Sequence, residues 1–188
     1  MTEIYVSTDI EADGPIPVVN SLLSLASAAF YSTGELVATI KINLELLPGA
    51  RPNPQTMAWW AKYPAAWERS RENIVSPKQG MAAYVEWVEA LPATPIFVGY
   101  PAPYDFMWVY WYMMRFVGRS PFRHHALDIR SYAMAALKLD FKQAGKQNLP
   151  EHWLSEKPHT HDALDDAIVQ GVLFCNMLRE NLARDHRA

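Results

Sequence analysis

The run Ile4-Tyr5-Val6-Ser7-Thr8-Asp9-Ile10-Glu11 decides how this chain is to be read. Its apolar, β-favouring character predicts a strand. Side chains alternate across a strand, so Asp9 and Glu11 share one face with Cα atoms about 6.5 to 7 Å apart. Two carboxylates aimed at one point repel each other, and such a pair either shifts one pKa upward or holds a hard cation such as magnesium or manganese. An isolated Asp-x-Glu is usually two solvated acids on an edge strand. The pair therefore gains meaning only from partners elsewhere in the chain.

Outward from this strand, Ser21 to Ser32 and Leu36 to Leu47 are two more apolar, β-favouring runs joined through Thr33-Gly34-Glu35, a hairpin signal. Asn53-Pro54-Gln55-Thr56 opens a helix through Trp59 and Trp60, which Pro64 interrupts before Ala65 to Arg71. Ser76 caps a helix from Pro77 to Leu91 with an apolar stripe through Met81, Tyr84, Val85 and Val88. Pro95 to Tyr100 reads as a short buried strand and Tyr104 to Val117 as a strongly apolar helix. Ala126 to Ile129 predicts a short strand running into a helix near Ser131 to Leu137. Residues 139–160 read as an irregular loop, and Asp162 to about Ala183 as one long closing helix. Three strands followed by alternating helices and strands imply an α/β fold, a central mixed sheet of about five strands with helices packed on both faces. There is no internal repeat, and residues 1–188 read as a single domain.

Half of the chain is apolar, which excludes disorder, and no apolar run approaches the roughly 18 residues that a membrane span needs. With no basic, apolar leader at its start, the chain reads as soluble and cytoplasmic. Cys175, the single cysteine, lies in an apolar helical pattern and reads as a core thiol. A net charge of −3 argues against a long, charge-driven grip on a duplex. The charge is uneven, however: Arg115 to Lys157 carries a balance of +4 together with His124, His125 and His152, with His159 just beyond, and the remainder carries −7. That stretch is either a phosphate-facing surface or a solvated basic face.

Partners for Asp9 and Glu11 are expected where strand ends meet helix starts. Asp105 lies in the first turn of the helix after the strand Pro95 to Tyr100, where an acid also complements the helix dipole. His161-Asp162-Ala163-Leu164-Asp165-Asp166-Ala167 places a histidine at the mouth of the last helix and an acid five residues on. Asp162 and Asp165 are accounted for by the dipole, and Asp166 is not. Ala163 and Ala167 leave room beside it for close packing, and His161, set among carboxylates, is suited to act as a base.

Taken in order, Asp-x-Glu in the first strand, Tyr104-Asp105-Phe106 after a Gly-containing strand, and His-x-Ala-x-x-Asp-Ala on the last helix resemble the three motifs of the DEDDh 3′-to-5′ exonucleases. Those enzymes have a ribonuclease H-like, ribonuclease T-type fold. The motifs carry over as Asp9 and Glu11, Asp105, and His161 with Asp166. The turn Glu11-Ala12-Asp13-Gly14-Pro15 resembles the family's Asp-x-Glu-x-x-Gly turn, and Thr56-Met57-Ala58-Trp59-Trp60 is similar to the Thr-x-x-Trp-Trp helix of a compact bacterial and phage branch that includes exoribonucleases. Pro101 and Pro103 depart from the histidine-asparagine pair of many relatives, which affects contacts near the second motif and leaves the acids and histidine intact.

The resemblance implies two-metal hydrolysis, with two divalent cations, Mg2+ or Mn2+, about 3.5 to 4 Å apart. Asp9 would bridge both, Glu11 and Asp166 would complete the first, Asp105 would support the second through water, and His161 would take the water's proton. A nucleoside 5′-monophosphate would leave from the 3′ end of a single strand or overhang, RNA being favoured over DNA. A DNA-trimming or proofreading enzyme and a catalytically silent nucleic-acid-binding module are the alternatives. Ala12, Gly14, Pro15 and Ile16 line the expected terminal-base pocket, with Trp59 and Trp60 next and Trp108 behind them. For each tryptophan core packing is an equal reading. Related enzymes often pair, and the aromatic helix Tyr104 to Val117 is the face a homodimer would use.

Overall fold

Asp9 and Glu11 stand on the central strand of a five-stranded mixed sheet. The structure, a computed structural model, describes residues 2–155 and 160–185. Strands β1 (Glu3–Ala12), β2 (Leu22–Phe30) and β3 (Leu36–Asn43) form an antiparallel meander. Strands β4 (Thr94–Gly99) and β5 (Leu127–Asp128) add in parallel on the other side of β1, giving the order β3-β2-β1-β4-β5. The β2–β3 turn closes with Tyr31 N–H donating to the Glu35 carbonyl at 3.0 Å, and Gly34 supplies a φ of 89° there.

Among the described residues six helices connect and cover the sheet: α1 (Pro54–Trp60), α2 (Pro64–Ser70), α3 (Pro77–Glu89), α4 (Ala102–Phe116), α5 (Ile129–Leu137) and α6 (Ala163–Asp185). Side-chain caps set three of the starts. Asn53 accepts from Thr56 N, Ser76 from Gln79 N and Asp128 from Ser131 N, each satisfying an orphan donor of a first turn. The alternation along β1 then sorts the layers. Ile4, Val6 and Ile10 pack with Met81, Tyr84 and Val85 of α3 and Trp108 and Tyr112 of α4, whereas Tyr5 packs on the opposite face with Phe174 and Leu178 of α6. Asp9 and Glu11 share the parity of Tyr5 and so face α6. Gly171 lets that helix lie close on the sheet, because a Cβ there would meet the Phe30 ring at 2.2 Å.

Element boundaries shift for identifiable reasons. The second and third apolar runs are shorter as strands than the sequence predicts: β3 ends at Asn43, after which Leu44 bridges to Val75. Helix α4 begins at Ala102 rather than near Tyr104, since Pro103 fits a first helical turn, where no N–H is needed. The expected loop over 139–160 contains two 3-10 turns, Lys146–Asn148 and Glu151–Trp153, the second burying Trp153 against α6. Lys157 and His159 of the basic stretch lie outside the described residues.

Three basic residues of that stretch are engaged internally. Arg119 forms two hydrogen bonds to Glu89, His152 pairs with Glu180, and Arg130 donates to the carbonyls of Phe141 and Lys142. Trp108 and Tyr112 of α4 are fully buried, whereas Tyr104, Met107 and Met114 on the same helix are exposed. Cys175 is buried as expected, and burial pushes its thiol up to about 11. No described helix is long and apolar enough to cross a membrane.

Candidate metal centre and active site

Strand β1 outruns its neighbour. Its pairing with β4 ends at Ser7 and Val98, while its pairing with β2 continues through Asp9 with Ala26 and Glu11 with Ser24. The two acids thus stand at the carboxyl edge of the sheet, where β4 departs into α4, the crevice in which α/β sheets place ligand sites. From above, α6 brings Asp166. One carboxylate oxygen from each of Asp9, Glu11 and Asp166 lies within 4.8 Å of the other two.

Asp105 approaches from the side. Gly99, at the end of β4, makes this approach feasible, because a Cβ there would lie 2.9 Å from Ala102 Cα and 3.1 Å from Asp105 Oδ2. Asp105 is 4 % exposed, and its Oδ2 is buried with no hydrogen-bond partner. It falls outside the three-acid group, yet its charge acts on that group. Burial, then Asp9, Asp166 and Asp105, raise the Glu11 carboxyl well above its ordinary range. Burial, then Asp9, do the same to Asp105, against a backbone hydrogen bond at Tyr100. This is a set of hard anionic oxygens held together against their own repulsion, with one oxygen desolvated and unsatisfied. Such a set suits magnesium or manganese rather than a soft metal.

His161 precedes α6 and is separate from the three-acid group. Its backbone is left-handed, with φ 54°, and its ring packs against Tyr63 at 4.3 Å and edge-on to Trp59 at 4.9 Å between centroids. Sequence reasoning missed Gln170. One turn beyond Asp166 and 2 % exposed, it donates from Nε2 to Asp9 Oδ1 at 2.7 Å. The available signal was a glutamine four residues after the acid, on the stripe of α6 that faces the sheet.

No protein-family model matches the chain. The 3′-5′ DNA exonuclease Cap18 of Escherichia coli is 28 % identical over 177 residues, which cover 92 % of this chain and 90 % of that protein. The nuclease domain of 3′hExo, a DEDDh family member bound to rAMP, superposes with a TM-score of 0.69 at 11 % identity over 95 % of this chain and 92 % of that one. Pop2p of S. pombe, in its Mg2+- and Mn2+-bound form, superposes with a TM-score of 0.66 at 15 % identity, covering 92 % and 82 % of the two chains. The sheet order, the four converging acids and the full-length sequence likeness agree. The chain is thus similar over almost its whole length to a 3′-5′ exonuclease and has the fold of a DEDDh family member.

The loop after β1 is braced from within. Asp13 accepts from Ser21 N at 2.6 Å, and buried Asn20 accepts from Ile16 N at 3.0 Å while donating to the Arg51 carbonyl at 2.7 Å. Gly14 packs so tightly on Asn20 that a Cβ would lie 2.2 Å from its Cγ. Neither Asp13 nor Asn20 was singled out from sequence. Of the residues expected to receive a terminal base, Pro15 and Ile16 are exposed at the rim, and Ala12 and Gly14 are buried beneath them. Trp60 is corrected. It is 2 % exposed, packs on Leu23 and Ala66, and donates from Nε1 to the Ala12 carbonyl at 3.0 Å, so it supports the loop from behind and offers no stacking face. Trp108 is core. Trp59 remains partly exposed, engaged with His161, Tyr63 and Trp60.

Proposed function

We propose that this protein is a divalent-metal-dependent 3′-to-5′ exonuclease that removes nucleoside 5′-monophosphates from the 3′ end of a single-stranded or overhanging nucleic acid. The observation that carries the reading is the convergence of Asp9, Glu11 and Asp166 within 4.8 Å at the carboxyl edge of the sheet, with Asp105 buried beside them. These four residues would hold two cations, Mg2+ or Mn2+, whose chemistry when bound is to lower the pKa of water and to stabilise charge on the attacking and leaving oxygens.

The remaining roles belong to the protein. Gln170 holds the Asp9 carboxylate in one orientation. His161, its ring lodged against Trp59 and Tyr63, accepts the proton of the attacking water, a task matched to an ordinary imidazole pKa of about 6.5. Pro15 and Ile16 present an apolar rim against which a terminal base can stack, over a turn that Asn20 holds rigid.

The sugar of the substrate is a finer matter. The motif resemblance favours an RNA end. The relative alike over almost the whole chain is a DNA exonuclease, which supports a DNA end as the second reading. Both follow from the same phosphate chemistry, and only contacts to the 2′-hydroxyl separate them. The test offers 5′-labelled single-stranded RNA, single-stranded DNA and 3′-overhang duplexes to the purified protein with magnesium or manganese, beside Asp9→Ala. Stepwise shortening from the 3′ end with release of 5′-mononucleotides, absent in the variant, is expected. Equal activity in both proteins would overturn the proposal.

A further inference from the structure

The segment that carries His161 is tied down by residues to which neither the motifs nor the proposed chemistry assigns a role. Asp162, next to His161, has a side chain only 10 % exposed, and its Oδ2 accepts from two cations on different elements: Lys41 Nζ of β3 at 2.7 Å and Arg69 Nε of α2 at 3.1 Å. Burial opposes the charge on Asp162, but these two cations hold its carboxyl below the usual range. Its Oδ1 caps α6 by accepting from Leu164 N at 3.1 Å, and its carbonyl accepts from Asp166 N at 3.0 Å. On the other side of His161, the Thr160 carbonyl accepts from Arg69 at 3.4 Å, and Thr160 N donates to Asp166 Oδ1 at 3.3 Å.

We propose that Lys41 and Arg69, acting through Asp162, are positioning residues for His161. This rests on the proposed role of His161 as the base. The physical argument starts from the backbone. A histidine at φ 54° stores strain of about 1 to 3 kcal/mol and persists only where its surroundings over-determine it. Here both flanking residues are fixed to the same arginine, and one of them to the lysine as well. Without the cations, Asp162 would be an under-solvated carboxylate close enough to Glu11 to act on its charge, and the turn would relax toward extended backbone, carrying the imidazole off Trp59 and Tyr63. Lys41 and Arg69 also line a cleft of about 470 Å³ between β3 and the start of α3. Direct contact between these cations and substrate phosphates is the rival role that the experiment must exclude.

The experiment compares Lys41→Met with Arg69→Gln, singly and together, with Asp162→Asn as a shape-conserving second variant. Each is made in the His161 protein and in His161→Ala. The expected result is a fall in kcat of about 10 to 100-fold, the scale of a misplaced catalytic group. KM and the calorimetric affinity for Mn2+ should stay within about threefold. The same substitutions should cost nothing further in His161→Ala, and Arg69→Lys should recover part of the rate. In the metal-free protein, the ring-proton resonances of His161, displaced by Trp59 and Tyr63, should return toward the values of a solvated histidine. A higher KM with kcat intact would make these cations substrate contacts and overturn the proposal, as would equal losses with and without His161 or an unmoved ring signal. Full activity of His161→Ala alone would instead overturn the role of His161, and the ring signal would still report whether the clamp positions it.

Discussion

Replacing Glu11 with glutamine should make the metal-free protein more stable while abolishing its response to metal, and the size of the gain can be bounded. Glu11, Asp9 and Asp166 place their ligand oxygens within 4.8 Å of one another, so each ionised pair costs about 3.5 kcal/mol at an effective dielectric constant near 20. Glutamine removes two of the three pairs. The wild type has an escape, however: it can take up a proton. For a carboxyl of ordinary pKa 4.5, holding a proton at pH 7 costs about 3.4 kcal/mol, at about 1.4 kcal/mol per pH unit. That is the ceiling at pH 7. A gain of about 1 to 3 kcal/mol is expected, or roughly 2 to 10 °C in Tm for a chain of this length.

The sign with pH follows from the direction of the shift. Burial and the neighbouring acids raise the Glu11 carboxyl in the folded state, so the wild type is relatively most stable below about pH 4.5 and loses that stability as pH rises toward the folded-state value. The glutamine variant has no such loss. Its advantage in chelator should therefore be absent near pH 4 and grow through pH 8, as read by thermal or urea unfolding. With saturating Mn2+ the order reverses, since the wild type alone gains binding free energy, about 4.1 kcal/mol at a thousand times Kd. A Glu11→Gln protein no more stable than wild type in chelator at pH 8 would refute the claim that this cluster is held against its own repulsion.

His161→Ala should keep metal and substrate binding in calorimetry and lose a factor of about 100 to 10,000 in kcat, the usual cost of a missing general base; a collapse of metal binding would contradict the assignment. Gln170→Leu frees the Asp9 carboxylate and should weaken Mn2+ affinity by about 10 to 100-fold without unfolding the protein, since α6 keeps its apolar contacts. Gly14→Ala drives a methyl group into the Asn20 amide and should cost about 1 to 3 kcal/mol in urea unfolding, with a matching loss of grip on the substrate end. Cys175, with its thiol pushed up to about 11 and buried, should resist iodoacetamide in the native protein at pH 8 and react once unfolded.

The four acids were legible in sequence because each is tied to a local rule. Asp9 and Glu11 share a face through the period of two along a strand, Asp105 and Asp166 stand in first turns of helices, and the resemblance to the DEDDh motifs is what joins them into one set. The central meander and the helix starts were legible for the same reason, through Gly34 in the turn and Asn53, Ser76 and Asp128 at the caps. What was not legible depends on pairs far apart in the chain. Gln170 reaches Asp9 across 161 positions, and Lys41 and Arg69 reach Asp162 across 121 and 93. No periodicity encodes those meetings. The two adjacent tryptophans show the same limit, because only the packing of α1 on the β1 loop decides that Trp60 turns inward while Trp59 meets His161.

The two kinds of placement imply different mechanical behaviour. Asp9, Glu11 and Asp105 sit on elements whose apolar faces are fully committed to the core, with Ile4, Val6, Trp108 and Tyr112 all buried. Relaxing the repulsion by moving these acids would expose large side chains worth about 1.5 to 3 kcal/mol each. Taking up a proton is a cheaper relief of that repulsion than moving the carboxylates apart, in keeping with the raised Glu11 carboxyl. His161 is placed by different means. It is held by ring contacts and by polar ties through its neighbours, each of modest energy, on a strained turn. The acid cluster is thus rigid by construction, and the segment that carries His161 is the part whose position substitutions outside that cluster can change.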